Sequence, residues 1–416
     1  MRKYFSAYAG MKRDVYVLAA ARFINCLGSF INPLITLILT QKLLMSGAEA
    51  GRLVALLVIT QAPCLALGGK LADRFGRKIV FAVGCCLGAF FYLVCAFGAS
   101  GQTMIFFLIL SADMVALAIP AEDAMLADAA PESQRQPAFS LMYLAINMGM
   151  AVSPILGGIL FLHHLQLLFL LDALTTLSCV AIVFIFIKET NPASRKNGEG
   201  GAEESKSSDA VPKKMTLFQA LKKVPILVVF FSLMFLFDFA YTQWNFLLPI
   251  QFGEAFGDDG ARLYSYLCSA NAVTVIVLAP VVTKIEKNLR PLFAIGISGL
   301  LYTAAYIGFG LQGPYIAYIF LGELFTIAEI WTAIRTGPFI YHYAPEECRA
   351  RIAAVSNFTR GAAGALGPLL MGMLITVFDY RTGWFLTAAC MLAGAAGMFL
   401  LDRSVRRKDK AAPRPE

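Results

Sequence analysis

The chain has 416 residues, of which 58% are hydrophobic and only 15% are charged. This composition leaves too little polar surface for a soluble protein of that size, so it excludes an ordinary soluble enzyme or binding domain. The formal net charge is +8 at pH 7. Because the basic residues lie between long apolar stretches, we interpret the excess as a signal of membrane topology and expect no nucleic-acid partner.

The apolar stretches predict twelve helices, each near the ~20 residues that cross ~30 Å of hydrocarbon. In chain order they cover residues 15–44, 48–69, 79–99, 103–125, 139–161, 167–187, 226–250, 261–282, 292–311, 314–341, 356–378 and 382–401. The two ends and the loops after even-numbered spans hold 28 of the 35 Lys and Arg residues. Cytoplasmic loops are enriched in these residues, so we expect a multi-pass protein of the cell membrane (inner or plasma) with both termini in the cytoplasm.

A polar segment separates two groups of six spans. Residues 189–223 are rich in Gly, Ser and charges of both signs, which is typical of a flexible connector. The sequence therefore predicts a six-helix bundle over 1–188, a cytoplasmic linker over 189–223, a second six-helix bundle over 224–402 and a basic cytoplasmic tail over 403–416.

The two groups of spans resemble each other in sequence. A gapless shift of 214 positions pairs identical residues, among them Ala130 with Ala344, Pro131 with Pro345, Arg135 with Arg349, Pro154 with Pro368 and Gly158 with Gly372. Matches that include prolines and a glycine are not explained by shared apolar composition, so they indicate an internal duplication. Parallel six-helix repeats of this kind are an architecture of transporters, with the substrate bound near the membrane midplane.

The loop between spans 2 and 3 reads GKLADRFGRK from Gly69 to Lys78. Its two glycines would allow a tight turn between closely packed helices, Asp73 could cap a helix or pair with a cation, and the basic residues suit an anionic membrane surface. This run resembles the cytoplasmic loop signature of the major facilitator superfamily.

The resemblance implies an all-α membrane protein with twelve transmembrane helices in two pseudo-symmetric six-helix repeats, a small-molecule substrate, alternating access and commonly a monomer. It also implies a conformational latch in this loop, in which Asp73 could pair with Arg135. We assign to the latch Gly69, Asp73, Arg74, Gly76, Arg77, Lys78, Asp128 and Arg135.

Acidic residues deep inside the spans are candidates for proton coupling. A charge at a helix centre costs at least ~2.5–3.5 kcal/mol on insertion scales, so such residues usually face a cavity or a partner. The candidates are Glu323, Asp238, Glu329 and Asp113. Glu323 and Glu329 are six positions apart on one helix, so they point in different directions and are not expected to act as a close dyad.

Arg22 and Asp238 occupy equivalent places in spans 1 and 7, because each precedes a proline by eleven residues. Either the two residues pair across a cavity, or each belongs to a structural pair within its own half. Spans 1 and 7 line the cavity in the superfamily, and polar and aromatic residues suit such a surface. The predicted cavity residues are Arg22, Asn25, Gln61, Asn147, Tyr241, Gln243, Trp244, Asn245 and Trp331, although Tyr241 and Trp244 could instead face lipid.

A narrower resemblance concerns three segments. The Leu-Gly-Glu ending at Glu323, the acidic run ending at Asp128 and the Gln-Trp at Gln243 are similar to the multidrug branch of proton-coupled facilitators. In that branch the glutamate of span 10 recognises lipophilic cations and takes part in proton coupling, and the aspartate ending span 4 is a gating position. Arg22 and the early position of Asp238 depart from the pattern and leave room for zwitterionic, anionic or lipid-like substrates.

The sequence thus predicts export of small amphipathic or lipophilic compounds in exchange for protons. The alternatives are a proton-coupled uptake carrier and a lipid or lysolipid flippase on the same fold. The sequence lacks HExxH, nucleophile-elbow and phosphate-loop motifs, so we expect neither an enzyme nor a cofactor. It also lacks clustered Cys/His ligand spacing, so no metal site is expected. The expected partners are the substrate, protons and the lipid bilayer.

Overall fold

The computed structural model describes residues 9–98, 101–190, 224–285, 289–345 and 349–411. The predicted linker lies outside these residues except for its first two, and so do the last five residues of the predicted tail. The helices are α1 Arg13–Leu27, α2 Ile31–Leu37, α3 Gly47–Phe75, α4 Arg77–Phe97, α5 Gln102–Ala129, α6 Arg135–Phe161, α7 Leu165–Phe186, α8 Pro225–Tyr241, α9 Leu247–Phe256, α10 Gly260–Ile285, α11 Pro291–Leu311, α12 Tyr315–Tyr343, α13 Arg349–Val377 and α14 Tyr380–Ala411.

The described part of the chain contains eleven stretches that are long and apolar enough to cross a membrane. One of them, Pro225–Ala279, has 55 residues. A helix of that length would measure about 80 Å, whereas the hydrocarbon core is about 30 Å thick. This stretch contains α8, α9 and most of α10, so it supplies two crossings. The predicted all-α membrane fold is confirmed, and the predicted twelve spans agree with these stretches.

The chain forms two compact units. The first consists of Met1–Leu43, Leu56–Lys206 and Phe252–Val273, and the second of Leu44–Ala55, Ser207–Gln251 and Thr274–Glu416. The start of α3 therefore belongs to the second unit, and the first part of α10 belongs to the first unit. The boundaries predicted from the sequence for the two bundles do not include this exchange and stay a prediction.

Equivalent glycines accommodate the exchanged segments. In the first unit, a Cβ on Gly158 would lie 2.5 Å from Ser265 Oγ. In the second unit, a Cβ on Gly372 would lie 2.3 Å from the carbonyl oxygen of Gly47 and 3.2 Å from the Cα of Gly51. The 214-residue shift relates Gly158 to Gly372 and Ser265 to Gly51. The duplication in the sequence therefore appears as the same close helix contact in each unit, where only a small residue fits.

Spans 1 and 7, which the sequence predicted as continuous, are both broken. In span 1, α1 ends at Leu27 and α2 begins at Ile31, and in span 7 a 3₁₀ turn at Thr242–Trp244 separates α8 from α9. Pro33 and Pro249 are the third residues of α2 and α9. A proline ring collides with the carbonyl four residues earlier in a helix, whereas in a first turn its missing N–H costs nothing. The two prolines thus explain why the breaks lie at equivalent places.

Both units have well-packed interiors. The first is filled by buried side chains of α1, α4, α5, α6 and α7, including Val15, Phe81 and Met125. In the second, α11 packs closely on α14, because a Cβ on Gly299 would lie 2.6 Å from the Cβ of Ala395.

The glycines near the loop between α3 and α4 differ from the expectation. Gly69 lies inside α3, and a Cβ there would meet only the Cβ of Pro120 at 3.9 Å. A Cβ on its neighbour Gly68 would lie 2.1 Å from the carbonyl oxygen of Leu117. The tight turn is formed at Gly76 alone, with a φ of +106° that favours glycine. The close approach of α3 to α5 therefore lies at Gly68 and not at Gly69.

This difference gives a test on adjacent residues. Gly68→Ala should lower the free energy of unfolding by ~1–3 kcal/mol, because backbone atoms of α5 leave no room for a methyl group. Gly69→Ala should cause no loss, since alanine has the better helix propensity by up to ~1 kcal/mol. Thermal unfolding of the two purified variants in the same detergent measures the difference. Equal melting temperatures would contradict the placement of the close contact.

Candidate functional site

The arginine in span 1 is paired inside the first unit. Arg22 Nη1 lies 3.1 Å from Glu122 Oε2, and the two side chains are 25% and 8% exposed. A cavity of about 20 Å³ adjoins the pair and is lined in part by Asn25 and Thr176. Asn25 Nδ2 donates to Thr176 Oγ1 at 3.0 Å. The cavity is large enough for about one water molecule, and the charge of Arg22 is balanced by a carboxylate of α5.

Glu122 was absent from the predicted site, although a signal for it existed. Arg22 lies nine residues from the start of α1, and Glu122 lies seven residues from the end of α5. At ~1.5 Å per residue the two residues are about 13 and about 10 Å from the ends that the sequence assigns to the same membrane side. A comparison of depths would therefore have paired them.

The equivalent acid of span 7 has its own partner in the second unit. Asp238 Oδ1 lies 3.9 Å from Arg360 Nε, and the arginine side chain is 68% exposed. This pair is looser than the pair formed by Arg22. In this structure each of the two residues thus has an ion-pair partner within its own unit.

Glu329 is held by a tyrosine. Tyr241 Oη donates to Glu329 Oε1 at 2.8 Å. The ring of Tyr241 stacks on Phe325 with centroids 5.5 Å apart, and Phe325 stacks on Trp244 at 4.2 Å. Trp244 is only 5% exposed. It therefore packs inside the protein and does not face lipid, and its contact with a substrate stays a prediction.

The break in span 7 carries two of the predicted cavity residues. Gln243 is fully buried, and its Nε2 donates to the carbonyl of Phe239 at 3.2 Å and to Thr242 Oγ1 at 3.0 Å. Its Oε1 has no partner among the described residues. The neighbouring Asn245 is exposed. The break thus presents one free amide oxygen in the interior and one exposed amide side chain.

Two of the predicted proton-coupling acids lack a partner. Glu323 is the ninth residue of α12 and is half-buried, and within the described part of the chain it forms no hydrogen bond or ion pair. Asp113 is 9% exposed, and its Oδ1 has no hydrogen-bond partner in the same residues. Asp238 and Glu329, in contrast, are both engaged. Among the described residues, Asp238 and Glu329 thus have a side-chain partner, whereas Glu323 and Asp113 do not.

The remaining predicted cavity residues, Asn147, Gln61 and Trp331, have only local or apolar surroundings. Asn147 donates to the carbonyl of Tyr143 on its own helix at 2.8 Å, and Gln61 is half-buried on α3. Trp331 packs against the apolar cluster that contains Val275 and Ile330. Their contact with substrate stays a prediction. No group of three or more His, Cys, Asp or Glu residues in the described ranges could hold a metal ion.

The predicted latch contains a well-connected centre. Arg77 forms an ion pair with Asp128, and its Nη1 also donates to the carbonyl of Ala124 at 3.2 Å. The backbone N–H groups of Arg77 and Lys78 donate to the carboxylate of Glu189 at 2.9 and 3.1 Å. Glu189 therefore caps α4, although the sequence assigned it to the linker.

Three charged residues of the predicted latch are exposed to the surroundings of the protein. Asp73, Arg74 and Arg135 are exposed. The predicted pairing of Asp73 with Arg135 stays a prediction.

The largest omission of the sequence analysis is Asp172. It is the eighth residue of α7, is only 5% exposed, and lies beside the backbone N–H groups of Phe30 and Ile31. No motif marked it, because its role depends on a break in another helix.

Removal of one member of the buried pair should be costly. Glu122→Gln should lower the free energy of unfolding by roughly 2 kcal/mol, since it leaves Arg22 without its counter-charge; the partial exposure of Arg22 keeps the loss below that of a fully buried pair. The double variant Arg22→Gln/Glu122→Gln should recover most of the loss, and a double-mutant cycle by thermal unfolding measures the coupling. Additive losses would refute this pairing.

The cap on α4 gives a second stability test. Glu189→Ala should cost ~1–2 kcal/mol, because two first-turn N–H groups lose a charged acceptor. Glu132→Ala is the matched control, since Glu132 is an exposed acid in a 3₁₀ turn. Thermal unfolding should separate the two variants, and the same melting temperature for both would count against the cap.

The chain matches the family model described as Major Facilitator Superfamily over residues 18–368. It is 23% identical over 356 residues to a Na(+), Li(+), K(+)/H(+) antiporter of Planococcus maritimus, which covers 81% of this chain and 82% of that protein. It is 26% identical over 149 residues to the quinolone resistance protein NorA of Staphylococcus aureus (strain MRSA252). This match covers 36% of this chain and 38% of NorA.

The fold is also similar to solved structures. A crystal structure of a POT family transporter in complex with a thioalcohol conjugated peptide has a TM-score of 0.76 at 16% identity, and the match covers 96% of this chain and 98% of that one. At this identity the likeness concerns the fold alone. The family match extends over most of the sequence, so the chain is a transporter of small molecules rather than an enzyme. It belongs to the Major Facilitator Superfamily.

Proposed function

We propose that this transporter exports small amphipathic or lipophilic compounds in exchange for protons, with Glu323 as the exchanging group. The observation that carries the proposal is a carboxylate nine residues into α12 with no cation partner among the described residues. An uncompensated charge at membrane depth costs ~2.5–3.5 kcal/mol or more. Glu323 is therefore stable in the membrane when it holds either a proton or a cationic substrate, and competition between the two produces exchange.

The state of Arg22 supports the same proposal. An unpaired arginine in the membrane would repel a lipophilic cation. Because Glu122 lies 3.1 Å from the guanidinium, the pair carries no net charge. Arg22 departs from the multidrug pattern, but the pair adds no net positive charge. The flippase alternative needs Arg22 to bind an anionic head group, so it loses support.

The other acid of α12 has a different part in this proposal. Glu329 is tied to the hydroxyl of Tyr241 at 2.8 Å, and Tyr241 in turn stacks on Phe325. We assign Glu329 a positioning role: it holds Tyr241 against the ring of Phe325.

In the proposed cycle, protonation of Glu323 from outside releases the substrate outward. Loss of the proton to the inside restores the affinity of the transporter for the substrate.

The relatives bear on the substrate. NorA is named as a quinolone resistance protein, which agrees with export of amphipathic compounds, although the match covers only 38% of NorA. The match to the Na(+), Li(+), K(+)/H(+) antiporter covers 82% of that protein. Exchange of a monovalent metal cation for protons is therefore the second candidate function, because an unpartnered carboxylate can bind either kind of cation.

We further propose that the protein works as a monomer in the cell membrane with both termini in the cytoplasm. The orientation rests on the distribution of Lys and Arg among the loops.

The proposal is tested by flux in vesicles with a pH gradient. Purified protein is reconstituted, and accumulation of a fluorescent lipophilic cation is followed for the wild type and for Glu323→Gln. We expect gradient-driven accumulation to fall at least about tenfold in the variant, because an amide can neither bind nor release the proton; general acid–base groups commonly contribute effects of this size or larger. Exchange of labelled for unlabelled compound without a gradient should continue.

Glu254→Gln is the matched control, since Glu254 is an exposed acid of α9 outside the candidate site. It should transport as the wild type does. Dissipation of the gradient by added NaCl or KCl, but not by the lipophilic cation, would favour the second candidate. Full gradient-driven transport by Glu323→Gln would overturn the role of Glu323.

A further inference from the structure

Helix α7 ends on a surface that faces lipid. Its last three residues, Phe184, Ile185 and Phe186, are 57%, 71% and 47% exposed. Consecutive residues of a helix point about 100° apart, so these three apolar side chains cover a wide face. Helix α7 has 22 residues and is therefore about 33 Å long, close to the ~30 Å thickness of the hydrocarbon. Its exposed end thus lies where the acyl chains of the bilayer meet the head groups.

Cations from two neighbouring helices lie over the two exposed rings. Lys78 Nζ of α4 is 4.3 Å from the ring centroid of Phe184, and Arg13 Cζ of α1 is 5.5 Å from that of Phe186. Both distances are within the ~6 Å range of cation–π attraction. Arg13 is the first residue of α1 and Lys78 is the second residue of α4. Both cations therefore lie at helix ends, at the level of the head groups.

The acids near these cations have other roles. Glu189 accepts hydrogen bonds from two backbone N–H groups at the start of α4, at 2.9 and 3.1 Å. Asp14 lies in the first turn of α1, where the helix dipole favours an acid. Among the described residues, neither Arg13 nor Lys78 forms an ion pair with a carboxylate. A third cation, Lys188, is exposed two residues beyond α7, so positive charge is in excess here.

We propose that the end of α7 is a binding site for an anionic phospholipid, with Arg13 and Lys78 against its head group and the rings of Phe184 and Phe186 against its acyl chains. The guanidinium can donate two parallel hydrogen bonds to a phosphate group, and the ammonium acts as a point charge. A zwitterionic phospholipid carries its own ammonium group, which cancels the charge of its phosphate. The site therefore prefers a lipid with net negative charge.

The bound lipid would connect three helices of the first unit. Arg13 belongs to α1, Lys78 to α4 and the two rings to α7. The backbone N–H of Lys78 is also one of the two groups that Glu189 caps. Occupation of the site would therefore stabilise the first turn of α4, which belongs to the predicted latch. The site is independent of the proposed exchange of substrate for protons.

The test measures which lipid contacts the end of α7. Phe184→Trp keeps an aromatic ring under Lys78, and the indole is the best partner of a cation. The full-length variant is reconstituted into vesicles of phosphatidylcholine and phosphatidylglycerol, in which one lipid or the other carries brominated acyl chains that quench indole fluorescence. The wild-type protein, whose three tryptophans lie in the second unit, supplies the background. The ratio of quenching by the two lipids reports the occupant.

We expect Phe184→Trp to show a preference for phosphatidylglycerol of at least about fivefold. This is the effect of one cation near an anionic lipid, about 1 kcal/mol. Added to this variant, Arg13→Gln and Lys78→Gln together should abolish the preference, because both charges are lost. Lys78→Arg should keep the preference, since it retains the charge.

Phe90→Trp is the matched control. Phe90 is a 55% exposed ring of α4, and no cation among the described residues lies over it. It should not distinguish the two lipids. Equal quenching of Phe184→Trp by both lipids would overturn the proposal, and so would a preference that survives the loss of both cations. The same preference at Phe90→Trp would also reject the site, because it would mean general enrichment of anionic lipid around the protein.

Discussion

In hydrocarbon, a backbone N–H or C=O group that leaves its helix finds no water, so every break in a transmembrane helix requires a partner from the protein. The two prolines at equivalent places in spans 1 and 7 create such breaks. Several polar contacts at membrane depth follow from these two breaks. In span 1, Ser153 donates to the carbonyl of Ser29, and Asp172 lies beside the N–H groups of Phe30 and Ile31. In span 7, Gln243 bonds back to its own helix, and its amide oxygen has no partner in the described part of the chain. The duplicated scaffold therefore has the same breaks but different polar supports.

The charges at membrane depth follow the same constraint. Arg22 is compensated by Glu122, and Asp238 by Arg360, each within one unit. The acids left without a cation stand out against this background. Glu323 is the one on which the proposed proton exchange rests, and Asp172 is the one that lies beside backbone N–H groups.

The loop between α3 and α4 shows how a sequence signature is built in three dimensions. Gly76 makes the turn, Arg77 contacts Asp128, and Glu189 caps the helix that follows. Glu189 is the first residue of the predicted linker. The end of the first half is thus tied by hydrogen bonds to the loop that the superfamily signature identifies.

The sequence by itself determined the class of the molecule. Apolar stretches of sufficient length specify membrane helices because the bilayer has a fixed thickness, and the basic loops predict their orientation. The duplication and the loop signature identified the superfamily, since prolines and glycines mark backbone constraints that recur in both repeats. Local pattern also selected Arg22, Asp238 and Glu323 as residues at membrane depth, because depth depends only on counting along a helix.

Only the tertiary structure decided the partners. Glu122, Asp172 and Glu189 acquire their roles from residues about 100 or more positions away, and no local pattern encodes such a contact. The exchange of Leu44–Ala55 and Phe252–Val273 between the units, and the close contact at Gly68 in place of Gly69, likewise depend on which helix faces which. In a membrane all these helices are similarly apolar, so packing shape and the need to pair each polar group select the neighbours.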